Sequence, residues 1–242
     1  MEYLILHVQN KGEYIMDDKK TLSCIDCGVF NCARGEEGKY PKFCLTKNVS
    51  QETQDSAMNA LTNDEVDNLL AVASAEVEYE GGGRWTRIEE TIKFAQKIGA
   101  KKIGIATCMA LRKESQTLAK ILRINGFEVY GVICKVGANP KSSIGIPEKC
   151  ESTGKMMCNP VLQAKALNDA HTDLNIIMGL CVGHDTLFIK HSNALITTLV
   201  TKDRVLAHNP CAALYHTGSF YSRLMNPMDE QQKPIKKSLQ GI

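Results

Sequence analysis

From residue 62 onward the chain alternates two kinds of hydrophobic pattern. Apolar runs too short for a helix, at Lys102–Thr107, Phe127–Ile133, Ile176–Leu180 and Leu195–Val200, read as buried strands. Between them, apolar residues recur with helical spacing over about 86–98, 111–124 and 160–169, and a further helix begins at Asp185. The punctuation agrees. Gly99 and Asn125-Gly126 are helix stops, Asn159 is an N-cap, and Pro160 takes the first helical position. Upstream, Thr62-Asn-Asp-Glu65 has the form of a capping box, followed by Val66, Leu69, Leu70, Ala73 and Val77. Gly81-Gly-Gly83 interrupts that helix, and the single tryptophan, Trp85, is expected to pack at the resulting hinge.

Strands alternating with helices imply parallel pairing and right-handed crossovers. The expected fold class is α/β, a small doubly wound, mainly parallel sheet occupying residues 49–224. A cysteine-rich module over 21–48 precedes it, with an extension at 1–20 and a polar tail at 225–242.

Composition narrows the function classes. A chain of 242 residues, 43% hydrophobic, has room for one such domain and a small module. Its formal charge of +2 offers no general case for nucleic-acid or membrane binding. The N-terminus lacks the basic start and cleavage site of a signal peptide, and no run is long enough to span a bilayer, so the cytoplasm is expected. In that reducing compartment the ten cysteines are expected to be ligands, redox groups or buried apolar residues rather than disulfides.

Four of them, Cys24, Cys27, Cys32 and Cys44, follow the spacing C-x2-C-x4-C-x11-C. Two residues between the first pair let the backbone turn both thiolates toward one ion, and Gly28 could take the positive φ such a turn often needs. Four thiolates close a tetrahedral site without water, the pattern of structural Zn2+; a [4Fe–4S] cluster is the alternative with the same donors. So short a segment has little core, and zinc binding in comparable peptides contributes roughly 10–16 kcal/mol. Arg34, Lys39, Lys42 and Lys47 are offset by Asp26, Glu36 and Glu37 and lack a stacking platform, so nucleic acid is not expected.

The topology places a second group. Cys108, Cys134 and Cys181 each follow a strand, so they share one carboxyl edge, and Cys158 precedes a helix opening on it. These four thiols could bind a second metal or an iron–sulfur cluster that engages a small-molecule substrate. Alternatively, Cys181 with His184 or His208 makes a zinc site, or a nucleophile and base. His208 ranks next among the histidines, while Cys150 and Cys211 read as structural.

The Cys24-x-x-Cys27-Gly-x-x-x-Cys32 pattern with Phe43-Cys44, Met157-Cys-Asn-Pro160, Gly179-Leu-Cys-Val-Gly-His-Asp185 and Lys202-Asp-Arg-Val-Leu-Ala-His-Asn-Pro210 together resemble domain of unknown function 1847. The resemblance runs from Cys24 to Tyr215. It implies metal binding, with a zinc site at Cys24, Cys27, Cys32 and Cys44, and implies no reaction. Three readings stay open: a redox or metal-cluster enzyme, a metal-free thiol enzyme, and a non-catalytic zinc-binding or regulatory module.

Overall fold

The computed structural model describes residues 22–227; the expected extension at 1–20 and most of the expected tail at 225–242 lie outside them. The chain divides into two compact units, Met1–Asn68 and Leu69–Ile242. This division lies later than the boundary expected near residue 48, because residues 49–68 are grouped with the cysteine-rich segment.

In the first unit, single turns of 3-10 helix carry Cys24 and Cys32 and lead to α1 (Leu45–Asn48) and α2 (Gln51–Asn63). Ser50 caps α2 by accepting from the Thr53 N–H at 3.2 Å. Helix α3 (Glu65–Gly81) follows, and the division between the two units falls within its first turns. Its start differs from the expected capping box. Asp64, not Thr62, accepts the Val66 and Asp67 N–H groups, while the Thr62 hydroxyl donates back to Met58 inside α2. Aspartate is a stronger cap than threonine, and here it takes the position.

The second unit continues with α4 (Arg87–Lys97), β1 (Lys102–Thr107), α5 (Arg112–Ile124), β2 (Glu128–Ile133), α6 (Pro160–Asp169), β3 (Leu174–Met178), α7 (His184–His191), β4 (Leu195–Val200) and α8 (Cys211–Tyr215). A true capping box, Thr86 with Glu89, starts α4. The Trp85 ring occupies the space where Gly81 would carry a Cβ, so the tryptophan packs at the glycine break as expected.

All four strands are parallel, in the order β2-β1-β3-β4. Ile103 and Ile105 of β1, with Leu174, Ile176 and Met178 of β3, face a core closed by Ile92 and Ala95 of α4 and Leu118 and Leu122 of α5. Alternate residues, Ala106 and Ile177, face the other layer with Ala164 and Leu167 of α6 and Phe188 of α7. The chain moves from β1 outward to β2 and from β3 outward to β4. The switch point therefore lies between β1 and β3, where an open α/β sheet leaves a crevice beyond its strand ends.

Strand β3 begins two residues before the expected run and stops at Met178. Gly179 ends it by adopting φ +63°. The polar Asn175 is tolerated inside this fully buried strand because Thr172 donates to its Oδ1 and its Nδ2 donates to Ser192, each at 2.8 Å.

Candidate functional site

The residues at the switch point come from four separated segments. Cys108 leaves β1 with its N–H donated to the Met178 carbonyl at 3.2 Å, tying the ends of β1 and β3 together. Cys134 leaves β2 and donates its N–H to the Thr107 carbonyl at 2.9 Å. The approach to α6 is braced against the same edge. Asn159 donates its N–H to the Cys134 carbonyl at 2.8 Å, and its side chain caps α6 through the Leu162 N–H at 2.9 Å. The Lys135 ammonium donates to the Met156 carbonyl at 2.6 Å. These bonds bring Cys158 to Cys134.

The three thiols interact in series with Cys134 in the middle. Burial pushes the Cys134 thiol up to about 12; the Met109 N–H, donated to its Sγ at 3.4 Å, opposes this, and the thiols of Cys158 and Cys108 add to the rise. Cys108 behaves differently. Burial disfavours its thiolate, but the Ala110 N–H, the Lys202 ammonium and the Cys134 thiol outweigh that and hold its pKa below the ordinary value. Burial and charge thus shift the two adjacent thiols in opposite directions.

The fourth expected member, Cys181, is placed against Arg204, whose Nη2 lies 2.9 Å from its Sγ. His184 begins α7, its N–H donated to the Cys181 carbonyl at 2.9 Å. Its ring is held below the usual histidine range by burial first, then by Lys135 and by Arg204, with Asp185 acting against them. No His184 hydrogen bond to Cys181 Sγ is formed among the described residues.

Lys202 and Arg204 arrive on the turn that carries His208; in the sequence Asp203 and Arg204 could face either the crevice or water, and water is the expectation for charged turn residues. Asp203 Oδ1 accepts the N–H groups of Val205 and Leu206 at 2.8 Å each. The His208 N–H donates to the Asp203 carbonyl at 2.9 Å, and His208 Nδ1 accepts the Asp203 N–H at 3.2 Å. His208 is thus a brace for this turn. Ala207 and His208 are both left-handed, at φ +50° and +67°, a conformation costing about 1–3 kcal/mol per non-glycine residue. The motif Asp203-x-x-x-x-His208 was the available signal.

Gln163, wholly buried on α6, donates its Nε2 to the carbonyls of Thr107 at 3.1 Å and Val132 at 2.7 Å. Its Oε1 has no hydrogen-bond partner among the described residues. Two grooves lie along the helices, one of about 640 Å³ between α5 and β2 and one of about 510 Å³ beside Gly82 and Arg87. Neither is lined by a thiol or an imidazole, so the switch-point edge remains the chemical candidate.

In the first unit, Cys24 and Cys27 share one turn, the Cys27 N–H donating to the Cys24 carbonyl at 3.1 Å. Cys32 and Cys44 both act on Tyr40, whose hydroxyl pKa is raised by burial, Glu37 and these two thiols. The Thr46 hydroxyl is the main group lowering the Cys44 pKa, opposed by burial and helped by the Thr46 and Lys47 N–H groups and the Lys47 charge. Gly28 does not supply the positive φ that was expected; Phe30 and Gly35 do, at +49° and +66°. The buried Asn31 holds this turn by donating to the Lys39 carbonyl at 2.6 Å.

Among the described residues, no three His, Cys, Asp or Glu side chains already converge on a metal-sized point. The donor chemistry nevertheless fits soft metals at both places: four cysteines in one short segment, and three interacting thiols at the sheet edge. Thiol ligands must lose protons to bind metal, and a preformed site is uncommon without one.

A family model described as a protein of unknown function, DUF1847, matches residues 44–199. The match includes Cys44, Cys108, Cys134, Cys158 and Cys181, whereas Cys24, Cys27 and Cys32 precede it. An uncharacterized protein of Methanocaldococcus jannaschii is 40% identical over 195 residues, covering 80% of this chain and 94% of its own length.

Proposed function

The chain belongs to the DUF1847 family, whose function is unknown, and we propose from its chemistry that it is a metal-binding enzyme acting on a small molecule. Cys108, Cys134 and Cys158 would hold an iron–sulfur cluster or a single soft metal ion at the carboxyl edge of the sheet. Cys24, Cys27, Cys32 and Cys44 would hold a structural zinc. The observation that supports this reading most directly is the placement of Cys108, Cys134 and Cys158, from three segments, at the switch point by the backbone bonds from Cys108 to Met178, Cys134 to Thr107 and Asn159 to Cys134. Three crowded thiolates repel one another; a cation removes that penalty.

When bound, such a centre would supply an open coordination position for substrate. The chain's own groups have separate tasks in this reading. Lys202 keeps positive charge beside Cys108, Arg204 positions Cys181, and His184 offers an imidazole held toward its neutral form.

The test is metal and labile-sulfide content of protein purified without oxygen. The wild type should carry zinc in addition to a second metal centre. Cys134→Ser should lose the second centre and keep the zinc, while Cys27→Ser should do the reverse. Equal metal content in wild type and Cys134→Ser would sink the proposed centre.

The Cys181–Arg204 contact favours one competing reading, a thiol enzyme with Cys181 as nucleophile and no metal at the sheet edge. Activity surviving complete removal of the second metal but abolished in Cys181→Ser would select it.

A further inference from the structure

We propose that the switch-point crevice binds an anionic substrate, with an oxyanion group, carboxylate or phosphate, lodged beside Cys181 by Arg204, Lys202 and Lys135. The inference rests on reading this edge as the functional site, and it names the substrate class that site would take.

The three cations come from two loops. Lys135 follows Cys134 directly, and Lys202 and Arg204 share the turn after β4. Arg204 lies 2.9 Å from Cys181 Sγ, Lys135 and Arg204 both act on His184, and Lys202 acts on Cys108. Among the described residues none of the three forms an ion pair with a carboxylate. Asp203 and Asp185 are the nearby carboxylates among the described residues; neither pairs with these cations, although the Asp185 charge also faces His184. Asp203 accepts from its own turn, and Asp185 Oδ1 accepts the Thr186 N–H at 2.8 Å.

The backbone supports the same reading. The turn presenting Lys202 and Arg204 keeps two consecutive non-glycine residues left-handed and commits the Asp203 carboxylate to its own backbone. Surface charge alone does not require such a turn. Arginine also suits the role, because its planar fork can hold an oxyanion through two parallel bonds. An anion placed there would lie against the Cys181 sulfur.

Competing alkylation tests the proposal on the full chain as isolated. Iodoacetate and iodoacetamide attack the same thiolate, so the ratio of their rates cancels its ionised fraction and reports attraction for the anion. Modification at Cys181 is followed by peptide mass mapping, with free cysteine as reference. The wild-type ratio should exceed the reference roughly tenfold at low salt and approach it at about 0.5 M salt, where screening removes most of the attraction. Arg204→Gln and Lys202→Gln should each lower the ratio, and Arg204→Lys should retain most of it, which guards against a folding artefact.

Inorganic phosphate and acetate, added separately, should protect Cys181 to different extents and so distinguish the two oxyanion sources. A wild-type ratio equal to that of free cysteine, or one unchanged in both glutamine variants, would overturn the proposal. Metal content of the same samples is a separate readout: a metal-free sheet edge with a high ratio would refute the proposed metal centre and leave the anion site standing.

Discussion

Arg204 and Cys181 lie 23 positions apart in sequence, yet the guanidinium approaches the sulfur to 2.9 Å. The contact is set by Asp203, whose carboxylate gathers the N–H groups of Val205 and Leu206 and so fixes the turn that aims Arg204. Replacing Asp203 with alanine should release both donors and cost about 1 kcal/mol, comparable to losing a helix cap. The melting temperature should fall by roughly 2–4 °C. If the turn positions Arg204, the rate of Cys181 alkylation should change as well; a lower melting temperature with unaltered alkylation would reduce Asp203 to a structural role.

The His184 ring should titrate below the ordinary histidine value of 6.5, because burial and the positive charges of Lys135 and Arg204 disfavour its charged form. Proton NMR of the imidazole, assigned with a His184→Gln variant, would measure this directly. Arg204→Gln should move the midpoint upward. The stability consequence has a definite sign. The unfolded histidine binds a proton first as pH falls, so this contribution is present above about pH 6.5 and is lost progressively toward and through the lower folded value. A folded midpoint above 6.5 would contradict the placement of the two cations.

Gly104 on β1 has no room for a side chain. A Cβ there would overlap Asn175 Oδ1, the atom that accepts the Thr172 hydroxyl in the second core layer. Gly104→Ala should therefore destabilise the sheet by about 1–3 kcal/mol through overpacking and disturbance of a buried polar pair. Denaturant unfolding should show a lower midpoint with little change in slope. An unchanged midpoint would mean that Asn175 can move without cost.

These positions also explain what could be read from sequence. Strand ends of a parallel sheet share an edge by topology, so Cys108 and Cys134 could be placed beside one another from apolar runs alone. Cys158 followed from the Asn159-Pro160 helix start, which the structure reproduces. Arg204 could not be found that way. Its approach depends on two left-handed residues, Ala207 and His208, in a conformation that their types do not advertise. The end of β3 was misplaced for a related reason: Ile176–Leu180 is uniformly apolar, and only the positive φ of Gly179 shows where pairing stops. In the cysteine-rich segment the left-handed turns fall at Phe30 and Gly35 rather than at Gly28, positions the cysteine spacing does not mark.

Gln163 separates a structural from a positioning role at the same edge. Its Nε2 joins the carbonyls of Thr107 and Val132, which lie one and two residues before Cys108 and Cys134. Gln163→Leu removes both bonds, at a cost of about 1–3 kcal/mol, while also removing the unpartnered Oε1, which offsets part of that loss. The net fall in stability should therefore be near 1 kcal/mol, or roughly 2–4 °C in melting temperature. If the amide also holds the two strand ends at the spacing a metal centre needs, the second metal should leave faster on chelator challenge, by about tenfold for a further 1.4 kcal/mol of misplacement. The zinc proposed for the first unit should exchange at an unchanged rate. Equal acceleration of both metals would reflect general unfolding, whereas a stability loss with no change in either rate would confine Gln163 to packing.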